Sequence, residues 1–271
     1  MIHIEKEIFT VENDLLTLVE WQKEHKITAG FTTKNGGESV NQFTSLNLSY
    51  TVGDNQATVL KNRKSLAEKI GIPYEKWVFS GQNHTKNIAE VTMADCGAGA
   101  ESFESGIANV DGMYTKESGI VLAAFFADCT PIYFIAPKHN LIGIVHAGWS
   151  GSIQEISRAF VKKWFSLGVK AKEIEVIIGP SASQSAYHVG ADIAKAVANM
   201  ELLDARDAII DLGNEQFKLD TAYLNYLQLI DLDIPADNII MSSYCTISDK
   251  DLFFSFRRDG ETGRMLGYIT Q

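Results

Sequence analysis

Three short segments carry residues able to do chemistry: Ser80-Gly81-Gln82-Asn83-His84, Ala127-Asp128-Cys129-Thr130-Pro131 and Val145-His146-Ala147-Gly148-Trp149-Ser150-Gly151. Each sets a soft or borderline metal ligand at the end of an apolar run, beside turn-forming residues. Strand ends let side chains converge over a sheet edge while their backbones stay fixed. Two imidazoles and a thiolate make a three-ligand zinc site with a fourth place open for water or substrate, the arrangement of catalytic rather than structural zinc. Zinc makes a bound water acidic near neutrality and polarises oxygen atoms. Other readings of the same residues stand beside this one. A lone cysteine after an apolar strand is commonly a small buried hydrophobe, and a lone histidine a hydrogen-bonded scaffold residue. A Cys–His pair can also be a nucleophile with its base. The spacing lacks the close Cys-x-x-Cys or His-x-x-x-His pattern of a strong metal signal.

The flanking elements must bring these residues together. Ile120–Ala127, Ile132–Ala136 and Leu141–His146 form a dense apolar block, punctuated by the turn compositions Asp-Cys-Thr-Pro and Pro-Lys-His-Asn. Pairing of Ile132–Ala136 with Leu141–His146 as a hairpin sets the entry of one beside the exit of the other. Cys129 and His146 then share a rim, and His84 must arrive from another strand. Further strands are expected at Ile27–Thr33, Trp77–Ser80, Asn87–Val91, Glu173–Ile178, Asn238–Met241 and Leu252–Phe256. Helices are expected at Gln56–Ile70, with Asp54 as its N-cap and Gly71 closing it, and at Ser152–Leu167, with Ile153, Ile156, Ala159, Phe160 and Trp164 on one face. Asp192–Met200 and Thr221–Ile230 are shorter candidates. Strands outnumber helices without alternating with them, so the class is α/β or α+β with mixed sheets rather than doubly wound. With no repeat, low-complexity tract or linker, residues 1–271 read as one domain.

The remaining histidines and cysteines read as less reactive. His3 falls in an expected first strand, His25 in a charged stretch and His139 in a hairpin turn, surface positions by default. His188 could line a pocket. Cys96 lies in a glycine-flanked loop, and Cys245 reads as structural. Three cysteines do not make a disulfide framework and fit a reducing compartment. The acidic start lacks the basic and apolar regions of a secretory signal, and no apolar run reaches the roughly 18 residues of a membrane span. The expected location is the cytoplasm. A formal net charge of −10 repels phosphate backbones and excludes extended nucleic-acid binding; a small anion needs a local basic pocket. Neither a dinucleotide fingerprint nor a phosphate loop is present. The oligomeric state is not legible.

Taken together and in order, these segments resemble the YfiH-like family, also called the multicopper polyphenol oxidoreductase or laccase-domain family, which includes purine nucleoside phosphorylases and a peptidoglycan editing factor. The resemblance spans nearly the whole chain. It runs from Gly30-Phe31-Thr32-Thr33-Lys34-Asn35-Gly36-Gly37 through Ser45-Leu46-Asn47-Leu48, Val52-Gly53-Asp54, Asn62-Arg63 and Val110-Asp111-Gly112. The Asp-Cys-Thr-Pro and His-Ala-Gly-Trp segments follow, then Ile178-Gly179-Pro180-Ser181 and Phe254-Ser255-Phe256-Arg257-Arg258-Asp259-Gly260 to Gly263-Arg264-Met265.

The resemblance implies that His84, Cys129 and His146 are the metal ligands. It implies a layered α/β/β/α fold similar to the catalytic domain of cytotoxic necrotizing factor toxins. The implied activity is phosphorolysis of adenosine, inosine, guanosine or methylthioadenosine, with adenosine deamination by a metal-activated water as a second activity. Within that frame Arg63 is the expected phosphate holder with Asn47 orienting it. Asp128 is expected to handle protons or support the site, and Asp111 to contact substrate or steer a ligand imidazole. Without the resemblance Arg63 reads as a solvated helix arginine. Copper oxidation is not favoured, since six histidines are too few for a multicopper centre, although copper could occupy the same ligands. A cell-wall-precursor editing amidase and a non-catalytic zinc module remain as alternatives. The chain departs from the family pattern at Lys34 and Ser150, often arginine; at Thr85, often glycine; and in Ala182-Ser183-Gln184-Ser185, which replaces a cysteine-containing stretch.

Overall fold

The computed structural model describes residues 7–271, so His3 and its expected strand lie outside the described residues. Apolar alternation in the central hairpin organises the layers. Strands Thr130–Ala136 and Leu141–Ala147 pair antiparallel, with His146 opposite Pro131 and Ala147 opposite Thr130. Successive side chains of a strand point to opposite faces. Tyr133, Ile135, Ile142 and Ile144 therefore enter one core, and Ile132, Phe134, Val145 and Ala147 another.

The hairpin lies within a six-stranded sheet ordered Ile239–Met241, Glu175–Ile178, Thr130–Ala136, Leu141–Ala147, Gly112–Thr115, Ile88–Glu90. A seven-stranded sheet faces it, ordered Thr10–Glu12, Leu15–Thr17, Thr28–Thr32, Met265–Thr270, Val121–Phe126, Trp77–Gly81, Ile107–Ala108. Both sheets mix parallel and antiparallel pairs. Phe31, Leu122, Phe126 and Ile269 of the second sheet meet Tyr133, Ile142 and Ile144 of the first in the shared core. On the far side of the six-stranded sheet, helices Ile156–Ser166 and Thr221–Ile230 bury Phe160, Trp164 and Leu229. On the far side of the seven-stranded sheet, helix Gln56–Ile70 buries Leu66 and Ala67 against Trp77, Phe79 and Val121. The layers are thus helix, sheet, sheet, helix. A three-stranded sheet of His188–Gly190, Gln216–Leu219 and Ile209–Gly213 packs at one end with helix Ala191–Ala198. No helix among the described residues is long and apolar enough to cross a membrane.

Several expectations hold closely. Helix Gln56–Ile70 has the expected span and stops at Gly71 with φ +79, but its N-cap is Asn55, whose side chain accepts from Thr58 N, and not Asp54, whose carboxylate accepts from Ser39 Oγ and Asn47 Nδ2 instead. Others do not. The helix expected at Ser152–Leu167 is two: Trp149–Ile153 and Ile156–Ser166, separated where Glu155 adopts φ +64. The strand expected at Leu252–Phe256 is irregular chain. Its Leu252 and Phe253 amides donate to Asp249 O, and Ser255 caps the short helix Phe256–Asp259. Asp-Cys-Thr-Pro is a crossover from the seven-stranded sheet to the six-stranded one, not a turn within a sheet.

Candidate metal centre

His146 belongs by strand alternation with Ile142 and Ile144 on the inter-sheet face, and its ring lies 5.4 Å from that of Phe126 on the opposing sheet. Cys129 sits on the crossover joining the sheets. His84 follows strand Trp77–Gly81, after a turn that leaves it at φ +56. The ligand atoms of His84, Cys129 and His146 all lie within 4.8 Å of one another, and the two imidazole centroids are 4.9 Å apart. Three residues distant in the chain converge at the rim between the sheets.

Asp111 holds the cluster together. Its Oδ1 accepts from His146 Nδ1 at 2.8 Å and from His84 N at 3.1 Å. Its Oδ2 accepts from Asn83 N at 3.2 Å, Thr85 N at 2.8 Å and Thr85 Oγ1 at 2.9 Å. One carboxylate therefore fixes both the His84 turn and the His146 ring. Burial pushes Asp111 up, but the bond from His146, its charge and the Thr85 donors outweigh that and hold the acid at about 2. For His146 burial pushes down, and Cys129 together with Asp111 overcomes it, raising the imidazole to about 9. His84 is pushed down, first by burial and then by the charge of His146. With Nδ1 donating to Asp111, His146 has Nε2 left for a ligand. Ser150 Oγ and Gln154 Nε2 both donate to His84 O, so the His84 turn is braced from the helix side as well. Thr85 and Ser150, two of the departures from the family pattern, both work on this turn.

Gly148 tests whether the space suits an ion. A Cβ there would lie 2.7 Å from His84 Nδ1 and 3.0 Å from Cys129 Sγ. Only hydrogen at this position leaves the gap between sulfur and imidazole clear. A sulfur and two imidazole nitrogens around such a gap match the donor preferences of zinc. The group numbers three residues among those described.

The cluster opens into a cavity of about 590 Å³. Asp128 lines it with φ +86. Its Oδ1 accepts from Thr246 Oγ1 at 2.7 Å, and its Oδ2 from Ser255 Oγ at 3.0 Å and Arg257 N at 2.7 Å. With both oxygens engaged, Asp128 ties the C-terminal loop to the crossover. Arg257 and Arg264 also line the cavity. The Arg257 guanidinium stacks 4.9 Å from the centroid of Tyr187. Arg264 Nη1 is anchored on Thr262 O and Gly263 O. These two cations give the acidic chain a local basic patch on the cavity wall. Their signal was in the sequence, in the run from Phe254 to Met265, but nothing in it separated them from Arg258, which spends itself on the carbonyls of Thr246, Ile247 and Phe253.

Arg63 and Asn47 take other places than expected. Arg63 is 2% exposed, does not line the cavity, and donates to Leu48 O, Gly99 O and Ala100 O. Its guanidinium lies 4.0 Å from the Tyr50 ring centroid and 4.4 Å from that of Phe79. It is not a solvated helix residue, and its Nε and Nη1 donors are committed to buried carbonyls rather than turned to the cavity. Asn47 is fully buried. It donates to Ser49 O and Asp54 Oδ2 and accepts from Ser49 N and Arg264 N, so it shapes the loops beneath Ser49 and Arg264 rather than touching a ligand. Asp111 faces the histidines and is absent from the cavity wall, which removes the expected substrate contact. His188 is exposed on its short strand and also lies outside the cavity. His25 and His139 bond Glu175 and Glu173. Cys245 is buried, accepting from Ser183 Oγ.

The family model described as multi-copper polyphenol oxidoreductase laccase matches residues 28–271. The chain belongs to that family. It is 38% identical over 260 residues to purine nucleoside phosphorylase YlmD of Bacillus subtilis, covering 94% of this chain and 93% of that protein. To purine nucleoside phosphorylase YlmD of Geobacillus stearothermophilus it is 40% identical over 243 residues, 89% of each chain. Among solved structures, YfiH of Bacillus licheniformis superposes with TM-score 0.94 at 36% identity, covering 97% of this chain and 98% of that one. YlmD of Geobacillus stearothermophilus superposes with TM-score 0.92 at 38% identity, covering 98% and 99%. The family likeness therefore extends through the strands and loops that build the cluster.

Proposed function

We propose that this protein is a zinc-dependent purine nucleoside phosphorylase acting on adenosine, inosine, guanosine and methylthioadenosine, with adenosine deamination as a second activity. The observation that carries the reading is one cavity in which His84, Cys129 and His146 converge beside two guanidinium groups. Relatives named as purine nucleoside phosphorylases, matched along most of their length, support it.

His84, Cys129 and His146 would hold the ion, which supplies Lewis acidity towards an oxygen atom. Asp111 keeps the His146 proton on Nδ1, so that Nε2 presents its lone pair. In phosphorolysis a phosphate oxygen bonds to the anomeric carbon as the bond from that carbon to the purine nitrogen breaks. The electron pair leaves with the base, which takes up a proton. Arg257 and Arg264 suit the phosphate, since guanidinium–phosphate bonds are charge-assisted and directional. In deamination the oxygen of water replaces the 6-amino group and ammonia leaves. The three-residue donor set favours a catalytic over a four-ligand structural zinc. The chain is taken to work as one domain in the cytoplasm on small molecules.

The test is chromatography of products from adenosine and inosine with and without phosphate, alongside metal analysis. Free base and ribose 1-phosphate should form only with phosphate. Cys129→Ala and His84→Ala should lose turnover and zinc while keeping their circular dichroism. Undiminished turnover in either variant would refute the assignment.

A further inference from the structure

Exposed aromatic rings are unevenly placed in this molecule. The chain has 14 phenylalanines, 4 tryptophans and 9 tyrosines. Among the described residues the exposed ones are Phe103 at 37%, Trp149 at 41% and Phe256 at 58%, and all three line the cavity of the candidate metal centre. They come from separate segments: the turn Phe103–Ser105, the first residue of helix Trp149–Ile153 and the first residue of helix Phe256–Asp259. Leaving a phenyl or indole ring in water forgoes burial that the rest of the fold secures for its aromatics. Three such rings around one opening suit a flat apolar ligand.

The polar wall beside them is mostly committed. Gln82 uses its amide on the backbone of Phe125, donating to its carbonyl and accepting from its N–H. The Thr221 hydroxyl pairs with Thr130, and the Ser49 hydroxyl with Thr51. Outside the metal centre and the two arginines, the Tyr187 hydroxyl, beside Arg257, is left to read a base edge, whereas ring faces are abundant.

We propose that Phe103, Trp149 and Phe256 form the base subsite, which holds a purine by its flat face rather than by its edge. The inference rests on the nucleoside reading above and deepens it. Stacking tolerates any base with a π face, so adenosine, inosine and guanosine share the subsite. Arg257 and Arg264 take the anion, Arg264 lying beside the base subsite with its guanidinium 5.8 Å from the Phe256 ring centroid.

Direct binding tests this apart from turnover. Trp149 is the exposed tryptophan, Trp21, Trp77 and Trp164 being buried, so its fluorescence reports ligand at the opening. Titration of the zinc-loaded protein with inosine should quench and blue-shift it. Phe256→Ala and Phe103→Ala should each weaken inosine binding about tenfold. Phe256→Tyr should restore it, and ribose 1-phosphate, which has no base, should bind all of them alike. The loss should fall on KM for nucleoside, with zinc content unchanged. Inosine binding of wild-type strength in the Phe103→Ala/Phe256→Ala double variant would overturn the subsite and leave the nucleoside reading intact. A wild-type protein that binds no nucleoside would overturn both. Binding that depends on the rings without any phosphorolysis would uphold the subsite and remove the phosphorylase assignment.

Discussion

Replacing Gly148 with alanine isolates the geometry of the metal centre. Gly148 has φ −73 and ψ 172, a conformation open to any L-residue, so the substitution brings no backbone strain. What it brings is a Cβ at 2.7 Å from His84 Nδ1 and 3.0 Å from Cys129 Sγ. Ordinary non-bonded contacts of carbon are about 3.5–4.0 Å, so imidazole and sulfur must withdraw by roughly 0.5–1.3 Å. A displacement on that scale at a reacting centre costs about 100-fold in rate. Disturbing the supports of metal ligands typically costs about 10–100-fold in metal affinity, or about 1.4–2.7 kcal/mol. Alanine is a poorer helix N-cap than glycine by up to about 1 kcal/mol, a Tm loss of a few degrees, so the protein stays folded. The assay is zinc competition with a chromophoric chelator, paired with inosine phosphorolysis. We expect folded Gly148→Ala protein with zinc affinity lowered about 10–100-fold. Folded protein retaining wild-type zinc affinity would mean that the sulfur and imidazole do not close on the space beside Gly148.

Arg63→Ala leaves the Leu48 and Gly99 carbonyls without their donor, while Ala100 O keeps the Tyr50 and Tyr74 hydroxyls, and should lower stability by about 2–5 kcal/mol in urea unfolding. Zinc stoichiometry in the folded fraction should be kept, and a change confined to phosphate KM would restore Arg63 as an anion contact. Arg264→Gln should raise the KM for phosphate about 10–100-fold and leave adenosine deamination, which uses no phosphate, near wild type; equal loss of both activities would argue against an anion role. In metal-free protein, the depressed Asp111 acid contributes stability that is present above its unfolded value of about 4 and lost as pH falls through about 2. The raised His146 contributes stability present below about 6.5 and lost as pH rises through about 9. Zinc binding at pH 7 should therefore displace the proton on His146, seen as a buffer-dependent enthalpy in calorimetry; an enthalpy independent of buffer would contradict this.

Local features were legible where local chemistry decides them. The Asp54-Asn55 pair and the stop at Gly71 delimit their helix, although the residue that caps it is Asn55, one past the expected Asp54, and the apolar alternation of residues 130–147 specifies the hairpin, whose register follows from its turn. That register alone brought Cys129 and His146 to one rim. The break at Glu155 was not legible, because no glycine or proline marks it. Residues on both sides keep a helical apolar pattern, while the chain before it is tied to the His84 carbonyl through Ser150 and Gln154. The Leu252–Phe256 run read as a strand because it is apolar. Phe253 and Phe254 are indeed buried, but the Leu252 and Phe253 amides turn back to Asp249 O and the Phe254 amide to Met265 Sδ, so no sheet ladder forms.

By its own pattern the sequence determined the α/β class, the ordered family segments and the trio of possible ligands, since these depend on residue identity and on periodicities of a few positions. Only the tertiary structure decided which charged groups serve the cavity. Arg63, Arg257 and Arg264 are alike as residues. What separates them is where the packing puts the guanidinium: beneath the 48 and 99–100 loops at Arg63, or at the cavity wall at Arg257 and Arg264, the latter even with Nη1 held by the Thr262 and Gly263 carbonyls. Hydrogen-bond competition between segments far apart in the chain settles that, and no local spacing encodes it.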